Sequence, residues 1–188
     1  FAAPIAAKSQ PAGKVLRIGY LSSSSPASGF HESFRQGLRE LGWVEGQNIV
    51  IDYRFADGRF ERLPELAAEL VRLKVDIIVA QPTPAALAAR NSTGSIPIVM
   101  INVADPVGVG LVAGLARPAG NVTGTAFGVG LETFGKALEL LKDAVPKARY
   151  VAVLSNPANP SQALAIRGLK VAAQSLGLRL LLLEASGP

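Results

Sequence analysis

Cysteine is absent from the 188 residues, and histidine, methionine and tryptophan occur once each. Without thiols this chain has no disulfide framework, no thiolate metal site and no cysteine nucleophile. A single histidine, His31, excludes a multi-histidine metal site. It stands beside Phe30 at a helix start with no visible acid-base partner, so a surface or capping role is expected. Aromatic residues make up only 6% although hydrophobic residues reach 49%. Apolar content built from Ala, Val, Leu and Ile suits strands buried on both faces with helices packed over them, which favours an α/β fold over a β-sandwich.

Runs of one charge are also missing. There are 19 Lys+Arg against 14 Asp+Glu, a net charge of +5, yet the basic residues sit singly, as at Arg35, Arg39, Arg72, Lys74, Lys136 and Lys142. Nucleic-acid binders cluster such residues on a stripe with interleaved aromatics, so no nucleic-acid partner is expected. Only the stretch from Ile98 to Ala116 is apolar enough to mimic a membrane span, and Asn102, Asp105, Pro106 and several glycines interrupt it. A central Asp costs about 2.5–3.5 kcal/mol on insertion scales. The stretch reads as strand, turn and helix, with no direct membrane insertion.

What the chain does have is alternation. Strand-like runs recur at Val15–Leu21, Ile49–Phe55, Val75–Ala80, Ile96–Val103, Asn121–Ala126, Tyr150–Leu154 and Leu178–Leu183. Helical stripes lie between most of them: Phe30, Phe34, Leu38 and Leu41, then Leu63, Ala67, Leu70 and Leu73, then Phe134, Leu138, Leu141 and Val145. Gly42 and Gly177 follow Leu41 and Leu176 where left-handed helix ends are wanted. This order implies βαβ units and a parallel sheet. Five strands precede a change of character around Gly124–Gly130, in a stretch with glycines at 120, 124, 128 and 130, and a second series then runs from Leu131 to Leu183. Two strands and two helices are too few to enclose an ordinary core, so this series either joins the first sheet or is unfinished at Pro188.

Three apolar runs break into a polar residue followed by proline: Thr83-Pro84, Asp105-Pro106 and Asn159-Pro160. A side-chain oxygen at the N-cap and proline at the first helical position form a helix-start signature. In an open parallel sheet such starts gather at the carboxyl ends of the strands, where small ligands bind. No residue set looks built for catalysis or for a cofactor. The glycines of 108–114 are spaced G-x-G-x-x-x-G and stand apart from the strand behind Asp105-Pro106, unlike a dinucleotide loop. No Walker lysine or ordered Ser-His-Asp set occurs, so neither cofactor nor metal is expected. The sequon Asn121-Val122-Thr123 falls in an expected buried strand.

At the amino end, Phe1–Ala7 is small and apolar and precedes a polar segment to Lys14. Residues 1–14 read as the remnant of a signal peptide and a linker, which implies export; an ordinary frayed terminus is the alternative.

Several segments together resemble a known family. They are Phe34-Arg35-Gln36-Gly37-Leu38-Arg39-Glu40-Leu41-Gly42-Trp43-Val44-Glu45-Gly46-Gln47-Asn48-Ile49, the helix 61–71, Thr83-Pro84-Ala85-Ala86, Asp105-Pro106-Val107-Gly108, Ala116-Arg117-Pro118, Gly120-Asn121-Val122-Thr123-Gly124 and Asn156-Pro157-Ala158-Asn159-Pro160. They are similar to the substrate-binding proteins of ABC importers, in the branch associated with tryptophan and other aromatic amino acids. The resemblance implies a type I periplasmic binding protein: α/β, with two doubly wound parallel-sheet lobes, the second truncated here. It divides the chain into residues 15–127 as the amino-terminal ligand-binding lobe and 128–188 as part of the second. It further implies a periplasmic protein without catalysis that closes by a hinge on a small amino acid-like ligand, aromatic in some members, and serves a membrane permease.

The expected ligand residues are Ser22, Ser23, Thr83, Pro84, Asp105, Phe127, Asn156 and Asn159. Ser22 and Ser23 follow the first strand, where hydroxyls and amides can hold a carboxylate, or they are ordinary turn serines. Thr83 would donate to a carboxylate and Asp105 face an ammonium group; as N-caps, both oxygens are used structurally. Asn156 and Asn159 would close the site from the second lobe, and Asn159 also reads as a cap. Phe127 would stack on a planar ligand or pack in the core. Trp43 is expected to cover a helix end. Two other readings stay open: a ligand-sensing regulatory module on the same fold, and a nucleotide- or sugar-handling α/β enzyme.

Overall fold

The computed structural model describes residues 15–127 and 131–185. The signal-peptide expectation for residues 1–14 lies outside the described residues, as do Gly128 and Gly130 of the glycine-rich stretch. Each expected strand run forms a strand. β1 (Leu16–Ser22), β2 (Ile49–Phe55), β3 (Ile77–Gln81), β4 (Ile98–Ala104) and β5 (Val122–Phe127) make one parallel sheet in the order β2-β1-β3-β4-β5. β6 (Tyr150–Ser155) and β7 (Arg179–Glu184) form a separate parallel pair, so the later series does not join the first sheet.

Helices α1 (Phe30–Glu40), α2 (Leu63–Arg72) and α3 (Thr83–Ser92) cover both faces of the large sheet. Strand alternation sends Ile18, Tyr20, Ile49, Ile51 and Val79 to one face, against Phe34 and Leu38 of α1 and against Trp43. Leu21, Ile78, Ala80, Ile98 and Met100 go to the other, against Leu66 and Leu70 of α2 and Ala85 and Ala89 of α3. Each fully buried Leu or Ile contributes roughly 1.5–3 kcal/mol. The α2 stripe is used as its spacing implies. The α1 stripe is used only at its centre, since Phe30 and Leu41 at its ends stay 53% and 77% exposed.

Gly42 and Gly177 end α1 and α5 (Pro160–Ser175) with φ of 83° and 63°. Behind them the Trp43 and Leu178 amides return to the Leu38 and Ala173 carbonyls, each at 2.9 Å. In the second unit α4 (Leu131–Ala144) and α5 pack on the β6–β7 pair around Leu138, Ala173 and Leu178. Leu154, Leu181 and Leu183 remain more than half exposed, in keeping with a core too small to enclose them. The two units meet where α5 approaches α3.

Two sequence expectations fail. No helix follows Asp105-Pro106; residues 106–110 form turns and no helix occurs before β5. Asp105 adopts φ +41°, whereas an N-cap is extended, and Gly108, Gly110 and Gly114 each disfavour helix by about 1 kcal/mol. Thr83 is not an N-cap either, because α3 begins one residue earlier than expected. Pro82 takes the cap position and Thr83 is the first helical residue.

A candidate ligand site at the strand carboxyl ends

Chain order reverses between β1, which leads to β2 on one side, and β3, which lies on the other. Such a switch point opens a crevice at the carboxyl ends of the strands. Ser22 ends β1 in register with Phe55 of β2 and Gln81 of β3. The Ser23 amide donates to the Gln81 carbonyl at 3.1 Å, and the Ala56 and Gly58 amides donate to the Ser22 and Ser23 carbonyls at 2.9 and 2.8 Å. Ser22 Oγ accepts from the Ser24 amide at 3.1 Å. These bonds hold the serine turn rigidly between two strand ends.

Thr83 and Pro84 open α3 and are buried. Thr83 Oγ1 accepts a hydrogen bond from the Ala104 amide at 3.0 Å and so ties β3 to β4. With proline at the cap, no side chain caps α3, and the Thr83 and Ala85 amides have no protein partner among the described residues. Unpartnered amides at a helix start favour an anion.

A β-bulge between Met100 and Val103 sets up the end of β4. Asn102 takes φ 56°, Val103 re-enters the core, and Ala104 comes into register with Phe127 at the end of β5. Opposite the bulge, Gly124 has φ 136°, and a Cβ there would collide with the Met100 carbonyl. Asp105 Oδ1 accepts from the Gly108 amide at 2.9 Å, so its capping chemistry survives as a turn without a helix. Phe127 is 46% exposed and lies outside the buried core clusters.

In the second unit Asn156 follows β6 and its Oδ1 accepts from the Ala158 amide at 3.0 Å. Asn159 caps α5 as expected, accepting from the Ser161 amide at 3.1 Å and the Ser161 hydroxyl at 2.7 Å. The structure therefore assembles Ser22, Ser23, Thr83 and Pro84 at two adjoining strand ends, with Asp105 and Phe127 at the next two. No hydrogen bond joins Asn156 or Asn159 to that group among the described residues.

Five polar side chains are buried among the described residues: Ser22, Ser23, Gln81, Thr83 and Ser155. All five lie at or just beyond the carboxyl ends of β1, β3 and β6. Gln81 and Ser155 escaped the sequence reading; their only sequence signal is a polar residue closing an apolar run.

His31 is not a surface residue. Its ring meets Tyr53 and Phe55 edge-on, with centroids 5.7 and 5.4 Å away, and its Nε2 lies 3.2 Å from Glu32. Burial raises the phenols of Tyr20 and Tyr53, and Tyr53 is raised further by Glu45, whose carboxylate its hydroxyl approaches at 3.5 Å. Arg35 Nε is 3.1 Å from Glu45, close enough for an ion pair but not aligned as a hydrogen bond. The sequon does not lie in a buried strand as expected: Asn121 precedes β5, whose residues beyond Val122 are exposed, and its amide is engaged in the fold by donating to the Thr93 and Ile96 carbonyls at 3.1 and 2.8 Å. No described cluster of His, Cys, Asp or Glu could hold a metal, and no described helix is long and apolar enough to cross a membrane.

Comparison with known proteins agrees with this architecture. A family model described as ABC transporter substrate binding protein matches residues 25–186. A tyrosine-binding protein of Clostridioides difficile (strain R20291) is 40% identical over 125 residues, 66% of this chain and 35% of that protein. A conserved domain protein from Vibrio cholerae O1 biovar El Tor superposes with a TM-score of 0.82 at 30% identity over 92% of this chain and 58% of that one. An ABC domain from Streptococcus pneumonia in complex with L-Trp superposes with a TM-score of 0.79 at 24% identity over the same shares. The chain thus spans about a third of the curated relative and somewhat over half of these structures, and its fold is that of type I periplasmic binding proteins.

Proposed function

The chain belongs to the ABC transporter substrate-binding protein family, and from that premise we propose that it forms the ligand-binding part of a periplasmic solute-binding protein that serves an ABC importer without catalysing a reaction. Residues 15–127 make one lobe and residues 128–188 contribute to the second. The observation that carries the reading is the gathering of buried Ser22, Ser23, Gln81 and Thr83 at the switch point of the large sheet. A few polar groups converging in an otherwise apolar crevice, each held in place by the fold, are what orients a small ligand.

The ligand is a small amino acid-like molecule. The free Thr83 and Ala85 amides and the serine hydroxyls suit its carboxylate, and Asp105 suits its ammonium group. The exposed ring of Phe127 suits an aromatic side chain, a choice supported by the 40% identity to a tyrosine-binding protein. Asn156, Asn159 and Ser155 approach from the second lobe when a hinge closes, and closure presents a new surface to the permease.

Calorimetry and native mass spectrometry of the complete protein against an amino-acid panel test this. Stoichiometric binding of one or a few amino acids without turnover is expected. Failure to bind any of them, or chemical conversion of one, rejects the proposal.

A further inference from the structure

Gln81 is only 5% exposed, yet its side chain is half satisfied. A carboxamide carries two N–H donors besides its carbonyl oxygen. The hydroxyl of Tyr20, itself 1% exposed, donates to Gln81 Oε1 at 3.3 Å. No protein group accepts from Nε2 among the described residues. Alternation along β3 turns Gln81 to the α1 side with Val79, and its register partner there is Ser22, at the mouth of the crevice. Tyr20 is in turn clamped by the rings of Phe34, Tyr53 and Phe55, at centroid distances of 5.5, 5.7 and 6.1 Å. The hydrogen bond from the clamped Tyr20 hydroxyl turns the carbonyl oxygen of the amide toward the protein and leaves its donors spare.

We propose that Gln81 is the specificity-determining residue of this site, donating from Nε2 to an uncharged oxygen on the side chain of the ligand, with Tyr20 as its positioning residue. The inference rests on the amino-acid reading above and narrows it to ligands with a side-chain hydroxyl or carbonyl. The carboxylate of the ligand has better partners in the free amides at the start of α3, where the helix dipole favours an anion. That leaves Gln81 for a neutral acceptor. A site built to bond such an oxygen discriminates against the analogue lacking it, because closure over that analogue takes the donor out of water without giving it a partner.

The test is calorimetric titration of the complete protein with L-tyrosine and L-phenylalanine, in the natural sequence and in Gln81→Met, which keeps the volume and removes the donors. The natural protein is expected to prefer tyrosine by at least about tenfold, and Gln81→Met to bring the two within about threefold, largely by losing tyrosine affinity. Tyr20→Phe keeps the donors but frees the amide to rotate, and should reduce the preference several-fold. It also carries the test should Gln81→Met fold poorly. Equal binding of both amino acids by the natural protein, or a preference unmoved in the variants, overturns the role of Gln81 while leaving the amino-acid reading intact. Binding of neither amino acid overturns the role of Gln81, and the amino-acid reading falls with it only if the rest of the panel also fails to bind.

Discussion

Thr83 Oγ1 accepts from the Ala104 amide at 3.0 Å, across 21 residues of sequence, and this one bond joins the start of α3 to the end of β4. The residue that looked like a local helix cap is a clasp between two strand ends. Thr83→Val, which keeps the shape and removes the acceptor, should cost about 1 kcal/mol, the net worth of a typical hydrogen bond, here from a partly buried amide. Thr83→Ser should retain most of the stability. Urea denaturation of both variants checks this, and equal losses would reject the clasp.

Among the described residues the Asn159 side chain bonds only locally, to the amide and hydroxyl of Ser161. Asn159→Ala should therefore destabilise α5 by about 1 kcal/mol, and Asn159→Asp by much less. Amide exchange in the first turn of α5 reports it directly. Unchanged protection in the alanine variant would mean that the cap contributes nothing.

Gly124 faces the Met100 carbonyl with φ 136° and no room for a side chain. Backbone strain alone costs of order 1–3 kcal/mol for Gly124→Ala, before the collision is counted. The variant should melt far below the natural protein or fail to accumulate in soluble form. A melting temperature unchanged by the substitution would show that the bulge is not constrained as described.

Tyr53 has its phenol raised by burial and by Glu45. Below pH of about 10, the ordinary phenol value, the group is neutral in both states and its contribution is fully present. As pH rises further, the unfolded phenol ionises while the folded one stays protonated, so stability falls until the folded value is passed. Tyr20 acts with the same sign. Melting temperature followed from pH 8 to 11 should decline less steeply above pH 10 in Tyr53→Phe, and parallel curves would contradict the assignment.

Phe127 leaves nearly half its surface open at the end of β5. Phe127→Ala should alter stability by no more than about 0.5 kcal/mol yet weaken an aromatic ligand several-fold, since an offset ring pair is worth about 0.5–1.5 kcal/mol. Fluorescence or calorimetric titration beside a thermal melt separates the two effects. A large fall in melting temperature would return Phe127 to a packing role.

Much of this was legible along the chain. Parallel strands are short apolar runs bounded by turn residues, so β1 to β7 could be read to within two residues. The Asn159 cap and the two glycine helix ends were equally readable, because donor and acceptor lie within a few residues. Asp105 carried half a signal. Its oxygen does collect a following amide, but the glycines beyond it could not sustain a helix. Gln81 carried none, since its partner Tyr20 is 61 residues away and a polar residue at a strand end is ordinary.

By itself the sequence determined the elements, their α/β alternation, and the absence of thiol or multi-histidine chemistry, because periodicity and composition act over one turn or one strand. Only the tertiary structure decided the lateral order β2-β1-β3-β4-β5, the separate β6–β7 pair, the clasp at Thr83 and the half-satisfied amide of Gln81. Those depend on which strands pair, and parallel pairing joins residues tens of positions apart by main-chain bonds that any side chain could flank.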